Sequence, residues 1–155
     1  MINENLKLSG QLNIVLKDKN GKVKEERVEK NLVVNKGLAF IISRMEGTTK
    51  AVMSHMALGS SSTAEAAGQS DLVSILGSRE ILDPTGGTTI TGTNDEKIQY
   101  VSSFEAGDGT GAVKEAGIFN AATGGDMLSR TTFAVVNKAA DDTMAVTWTI
   151  TLSAT

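Results

Sequence analysis

From Met144 to Leu152 the chain alternates without a break. Met144, Val146, Trp148, Ile150 and Leu152 fall on one side, Ala145, Thr147, Thr149 and Thr151 on the other. A period of two is the mark of a strand, and a strand with one apolar face and one threonine face belongs to a sheet that is dry on one side only. It therefore demands other strands. Its expected partner is Leu128 to Val136, joined to it by the polar stretch Asn137 to Asp142. Near the N-terminus Leu12, Ile14 and Leu16 alternate with Asn13, Val15 and Lys17, and Asp18-Lys19-Asn20-Gly21 supplies a turn. Val23 to Val28 then returns, with Asn-Gly as the hairpin signal. Val52 to Leu58, Arg79 to Leu82 and Ile98 to Phe104 read as further extended segments.

Helical spacing occurs mainly in one place. Leu38, Ile41, Ile42 and Met45 fall at i, i+3, i+4 and i+7, with Asn35 positioned to cap the start and Gly47 to stop the end. This predicts one amphipathic helix with those four residues on its buried face. A second, short helix is expected over Asp71 to Leu76, presenting Leu72, Ile75 and Leu76. Ser62-Thr63-Ala64-Glu65 has the form of a capping box, but Gly68 interrupts any helix it would open, and residues 64–69 are read as irregular. Pro84 to Asp95 is rich in turn-formers. The fold class expected is mainly β: a β-sandwich or jelly-roll-like single domain over residues 11–155, preceded by an N-terminal arm over residues 1–10.

Composition narrows the function classes. A chain of 155 residues buries enough surface to fold without staples, and with no Cys it has neither a disulfide framework nor a thiolate metal site. A formal net charge of -3 offers no field for a nucleic-acid backbone, and the Lys and Arg between Lys17 and Lys30 are interleaved with Asp18, Glu25, Glu26 and Glu29. No apolar run approaches the ~20 residues of a bilayer span, and Met1 to Asn5 lacks the basic start and apolar core of a signal peptide. The expectation is a soluble protein made in the cytoplasm, with no nucleic-acid or membrane partner.

Four motifs invite a chemical reading. Gly107-Asp108-Gly109-Thr110-Gly111-Ala112 matches the dinucleotide-binding loop G-x-G-x-x-G/A, and a strand-like run precedes it. That loop works by opening onto a helix whose N-terminal amides receive the pyrophosphate. Here Gly117 and the β-favouring Ile118-Phe119 leave room for about one turn, so the segment is read as a turn between strands, with Val113, Ile118 and Phe119 returning to the core. His55 is the only histidine, and with no G-x-S-x-G elbow nearby it is read as an ordinary strand side chain beside Ser54. Asp141-Asp142 and Asn94-Asp95-Glu96 lack the ligand spacing of a calcium loop and are read as polar turn tips. No cofactor, metal or catalytic set is expected. The competing class is an enzyme acting on a cell envelope or carbohydrate, with Asp95, Asp108 or Asp142 as acid and base.

The succession "MALGSSSTAEAAGQSDL", "YVSSFEAGDGTGAVKEAGIFNAATGGDMLSRTTF" and "VVNKAADDTMAVTWTITLS" resembles a group of small tailed-phage virion proteins, in which a Gly-Thr-Gly-Ala turn leads into Glu-Ala-Gly-Ile-Phe and then a Gly-Gly turn. The resemblance spans about Leu12 to Ser153. It implies Gly109, Gly111, Glu115, Gly117, Phe119 and Trp148 as determinants of the fold, and a structural role in the virion: a capsid decoration or cement subunit, or alternatively a tail-fibre or baseplate adaptor. With no fibrous shaft after the domain, the decoration role is the one expected. Its partner would be the major capsid protein on the capsid surface, with self-association as a trimer or dimer. The candidate contacts are Ile2, Leu6 and Leu8 of the arm and the threonine face Thr147, Thr149 and Thr151. For the arm, the other reading is a frayed terminus plus the start of the first strand.

Overall fold

The computed structural model describes residues 4–47 and 50–154. Ten strands and one helix follow one another as β1 (Leu6–Lys17), β2 (Val23–Lys30), β3 (Leu32–Val33), α1 (Asn35–Glu46), β4 (His55–Gly59), β5 (Glu80–Ile81), β6 (Thr88–Thr91), β7 (Asp95–Phe104), β8 (Gly111–Phe119), β9 (Met127–Lys138) and β10 (Thr143–Ala154). They form two five-stranded antiparallel sheets. Sheet A has the order β2-β1-β10-β7-β6 and sheet B the order β3-β9-β8-β4-β5. The main core lies between them. Leu12, Ile14, Leu16, Phe104, Val146 and Trp148 come from A, and Met56, Leu58, Val113, Ile118 and Val136 from B. The fold is thus a small single β-sandwich.

The β1–β2 hairpin forms where the Asn-Gly signal places it. Asp18 Oδ1 accepts from the N–H groups of Asn20 and Lys22, and the Gly21 N–H donates to Asp18 O, closing the turn. β1 begins at Leu6 and pairs with β10 along its whole length, from Leu6 opposite Ala154 to Lys17 opposite Thr143. Leu6 to Gly10 is therefore strand. Ile2 lies outside the described residues.

β10 has a different partner from the one expected. It lies between β1 and β7 in sheet A, while β9 pairs with β8 and β3 in sheet B. Residues 139–142 thus cross from one sheet to the other instead of closing a hairpin. A buried polar contact fastens this crossing: Lys138 is buried and its Nζ donates to the carbonyls of Glu105 and Asp142, which ties it to the neighbouring crossing from β7 to β8.

The helix also sits differently. Val34, not Asn35, is the N-cap residue, without a side-chain bond, while Gly47 ends the helix in the left-handed conformation as its position predicts. The buried residues are Gly37, Phe40 and Ser43, with Ile41 partly buried, whereas Leu38, Ile42 and Met45 face out, Met45 at 83% exposure. Gly37 decides the rotation: a Cβ there would lie 2.0 Å from the Leu128 carbonyl oxygen, so only glycine lets the helix backbone approach β9 this closely. The expected helix over 71–76 is absent. That segment is irregular, and Ile75 makes an isolated bridge to Gly59. The amides of Val73 and Ser74 within it are taken by the Glu115 carboxylate instead. Within the turn-rich stretch after Pro84, β6 adds a short edge strand beside β7.

Candidate functional site

The outer face of sheet A is a polar plane. Across its three central strands the side chains run in rows: Asn13–Thr147–Val101, Gln11–Thr149–Gln99 and Ser9–Thr151–Lys97. The three threonines are half-buried by these neighbours. Lys7, Lys30 and Lys97 stand around a shallow depression that also includes Ser9, Gln11, Thr149 and Thr151. Asp95 offsets part of this positive charge, its carboxylate 2.9 Å from Lys97 Nζ. Leu6 and Leu8 are on the opposite face. Leu8 packs against the main core opposite Leu152, and Leu6 is largely exposed at the end of the same inner face. The leucines and the threonines therefore occupy two surfaces.

Sheet B has no such open plane. The chain between β4 and β5 lies over its outer side as a strap, and Leu72 from the strap packs on a second small core of Val34, Ala57, Phe119 and Met127. The clasp is an ion pair with both members fully buried. Glu115 Oε2 accepts from Arg130 Nε at 2.9 Å and Nη2 at 2.7 Å. The same carboxylate accepts the strap's backbone N–H groups of Ser61, Val73 and Ser74. Arg130 also donates to Gln69 Oε1 and to the Thr63 carbonyl. Both charges are thus hydrogen-bonded on several sides, the condition under which an ion pair is tolerated away from water. Glu65 adds a second anchor by accepting from the Thr132 N–H and hydroxyl. At the strap's end, the Arg79 guanidinium lies 3.5 Å from the Phe119 ring centre and donates to the Ala121 and Gly124 carbonyls.

The residues implied by the resemblance fall on this framework. Glu115, Phe119 and Trp148 are fully buried. Gly117 lies under Leu72, and Gly109 and Gly111 take positive φ against Leu58 and Leu76 in the crossing from β7 to β8. The Gly107–Ala112 motif connects the sheets and runs into β8, which opens at Gly111 and has Val113, Ile118 and Phe119 all buried.

The titratable groups are mostly engaged in holding connections. Asp142 accepts from Lys24 Nζ at 2.6 Å and from the Ala139 N–H, and these bonds hold its carboxyl below the usual range. Burial lowers the Lys138 ammonium, against Asp108, Asp142 and Glu105, which favour its charge. Ser54 Oγ lies 2.8 Å from His55 Nδ1, but burial lowers the pKa of this ring first and its charged neighbour Arg79 lowers it further. A triad needs a carboxylate in that position. Asp95 opens β7 and Asp108 lies beyond its other end, so they do not converge. Burial, then Asp108, pushes Glu80 up. Among the described residues, no group of three His, Asp or Glu side chains is placed to hold a metal, and no helix is long and apolar enough to cross a membrane.

An apolar cavity of about 220 Å³ opens between α1 and sheet A, lined by Phe40, Ile41, Ile98, Tyr100, Ile150 and Leu152 among others. Burial pushes the Tyr100 hydroxyl up to about 12, so it stays protonated there. The exposed stripe Leu38, Ile42 and Met45 on α1 is the surface that sequence reasoning missed. Its spacing was legible, but the spacing alone does not say which side of a helix is buried. Comparison of the chain with protein-family models, with curated proteins and with solved structures finds no match.

Proposed function

We propose that this chain is a non-enzymatic structural subunit of a tailed-phage virion, a decoration or cement protein that binds the outside of the assembled capsid and stabilises it. The resemblance from Leu12 to Ser153 is the starting point. The observation that carries the reading is the contrast in how polar side chains are used. Buried ionic groups such as Glu115, Arg130, Lys138 and Asp142 are committed to fastening loops, while the outer face of sheet A offers an open field of Thr, Ser, Asn and Gln with Lys7, Lys30 and Lys97 around it. Threonine is stiff at χ1, and a strand held on both sides is stiff in its backbone. Such a face loses little conformational entropy when a partner covers it. That suits a subunit which adds to a finished lattice, with the major capsid protein as its partner.

Decoration acts by mass action, because a ligand of the assembled shell that does not bind dissociated subunits shifts the equilibrium toward the shell. Densitometry of purified virions should give a band of this subunit comparable to the major capsid protein, and particles lacking it should release DNA at a lower temperature. A band of only a few copies per particle, with heat resistance unchanged in its absence, would transfer the assignment to a tail or baseplate adaptor.

A further inference from the structure

We infer that β6 is a strand-addition edge that pairs with β6 of a second copy of this chain, in an antiparallel register centred on Ile90. Each sheet has two edges, and three of the four are guarded. β3 and β5 are two residues long. β2 carries Lys24, Glu25, Glu26, Arg27, Glu29 and Lys30, and its Arg27 guanidinium is turned onto the Ala134 and Val135 carbonyls of β9. Short length and charge are the usual protections against edge-to-edge association. β6 reads Thr-Thr-Ile-Thr, is exposed throughout and contains neither charge nor proline.

The ladder fixes which backbone groups are free. Gly92 N–H donates to Asp95 O, so Gly92 and Asp95 are a hydrogen-bonded pair. In an antiparallel ladder such pairs alternate, so Ile90 opposite Lys97 and Thr88 opposite Gln99 are bonded as well. Thr89 and Thr91 then present N–H and C=O to the outside. A twofold axis normal to the sheet must bring residues of the same face opposite one another, which puts a residue on the axis; centring on Thr88 or Thr91 would set Thr89 against Gly87 or against Thr93 beyond the strand, which leaves Thr89 or Ile90. Centring on Thr89 would pair Thr91 with Gly87, whose N–H is already given to Pro84 O. Centring on Ile90 lets Thr89 and Thr91 of the two copies exchange every outward N–H and C=O. It also sets Ile90, 41% exposed, against its symmetry mate. The contact is self-complementary, which is why a second copy is the occupant, and a twofold closes it at a dimer. A four-residue pairing buries well below the ~1,200 Å² of a stable interface, so association depends on concentration. The inference stands on the edge geometry and is independent of the virion reading.

Sedimentation of the full chain over a hundred-fold range of concentration should show monomer passing into dimer. Thr91→Pro removes an outward N–H that β7 does not use, a position where an edge strand tolerates proline. It should leave the circular dichroism spectrum intact and abolish the dimer. If it unfolds, Ile90→Lys takes over the test, placing two ammonium groups face to face on the solvent side. The chain has no Cys, so Ile90→Cys should cross-link on mild oxidation, and faster than Thr89→Cys. A monomer at every concentration, a dimer that survives both Thr91→Pro and Ile90→Lys, a trimer, or faster cross-linking at 89 would each overturn the proposal.

Discussion

The two sheets of this sandwich share a core and differ in what lies on their backs. Sheet A turns a polar plane to water, with alternating burial along β10. Sheet B is covered, so that β8 is buried on both faces from Glu115 to Phe119. The difference is one of chemistry as well as coverage. A wet face needs only side chains that like water, whereas a covered face must satisfy every polar group in the cover. Glu115 and Arg130 do this by giving the strap's amides and carbonyls partners that no regular strand or helix supplies there.

The largest effect is therefore expected at the clasp. Glu115→Ala leaves the Arg130 guanidinium buried without its counter-charge and frees three strap amides. Breaking a buried pair from one side costs about 3–5 kcal/mol, and urea unfolding should read a loss of that size. Limited proteolysis should also move to the strap between Ser60 and Ser78. If the variant loses less than about 1 kcal/mol, the strap's amides are being satisfied by water and sheet B is no more dependent on its cover than sheet A.

Next in size is a steric challenge to the same cover. A Cβ at Gly59 would fall 2.6 Å from the Ser74 carbonyl oxygen and 2.5 Å from Glu115 Oε1. Gly59→Ala forces the strap and its anchor apart without removing a charge, at a cost of about 1–3 kcal/mol, as for overpacking generally. Differential scanning calorimetry checks it. An unchanged Tm would mean that the strap has room to move, and the contrast between the sheets would weaken.

The same contrast explains what could be read in advance. Alternation works where one face is wet, so β1, β7 and β10, all of sheet A, stand out in the sequence. Pairing was harder. β9 and β10 are neighbours in the chain, and a polar connection between two strands reads as a hairpin. The burial of Lys138 at the crossing between them is a tertiary event with no local sign. α1 was placed by its periodicity and its Gly47 stop, but hydropathy scores Leu38, Ile42 and Met45 and gives nothing to Gly37, whose lack of a side chain sets the contact. The expected helix at 71–76 failed because Val73 and Ser74 donate to a carboxylate far along the chain. The candidate face was legible as threonines on alternate positions. Its neighbours Gln11, Asn13 and Gln99 became part of it only through strand register.

Acid separates the two regions more finely. Burial raises the Glu65 carboxyl, but the bonds from Thr132 outweigh it, so on the strap of sheet B its pKa lies below the ordinary 4.5. Asp142, at the crossing between sheets, is held below 3.8, first by the Lys24 bond and then by the Ala139 N–H. A carboxyl depressed in the native state contributes stability that is complete above its unfolded pKa and is lost as pH falls through the native one. Both contributions are therefore whole at neutral pH and disappear in acid, below 4.5 for Glu65 and below 3.8 for Asp142. Glu65→Gln should flatten the acid dependence of strap proteolysis with little effect on that of global unfolding, and Asp142→Asn should do the reverse. Identical pH profiles for the two variants would mean that the strap and the sandwich open together.

The smallest effect is expected on the open face, and it bears on function as much as on stability. Thr149 lies between Gln11 and Gln99, and the contact it makes is a long one of 3.5 Å from Gln99 Nε2. Thr149→Val keeps the branched shape and the strand preference, so stability should stay within about 0.5 kcal/mol, as for surface substitutions away from special features. If the proposed decoration role holds and the fold is unchanged, any loss of capsid occupancy in a Thr147→Val, Thr149→Val, Thr151→Val variant reports on hydroxyls that meet a partner. Loss of chemical-shift dispersion in that variant would instead show that the hydroxyls hold sheet A together. Occupancy equal to wild type would free this face from the contact and leave the exposed Leu38, Ile42 and Met45 of α1 as the next surface to substitute.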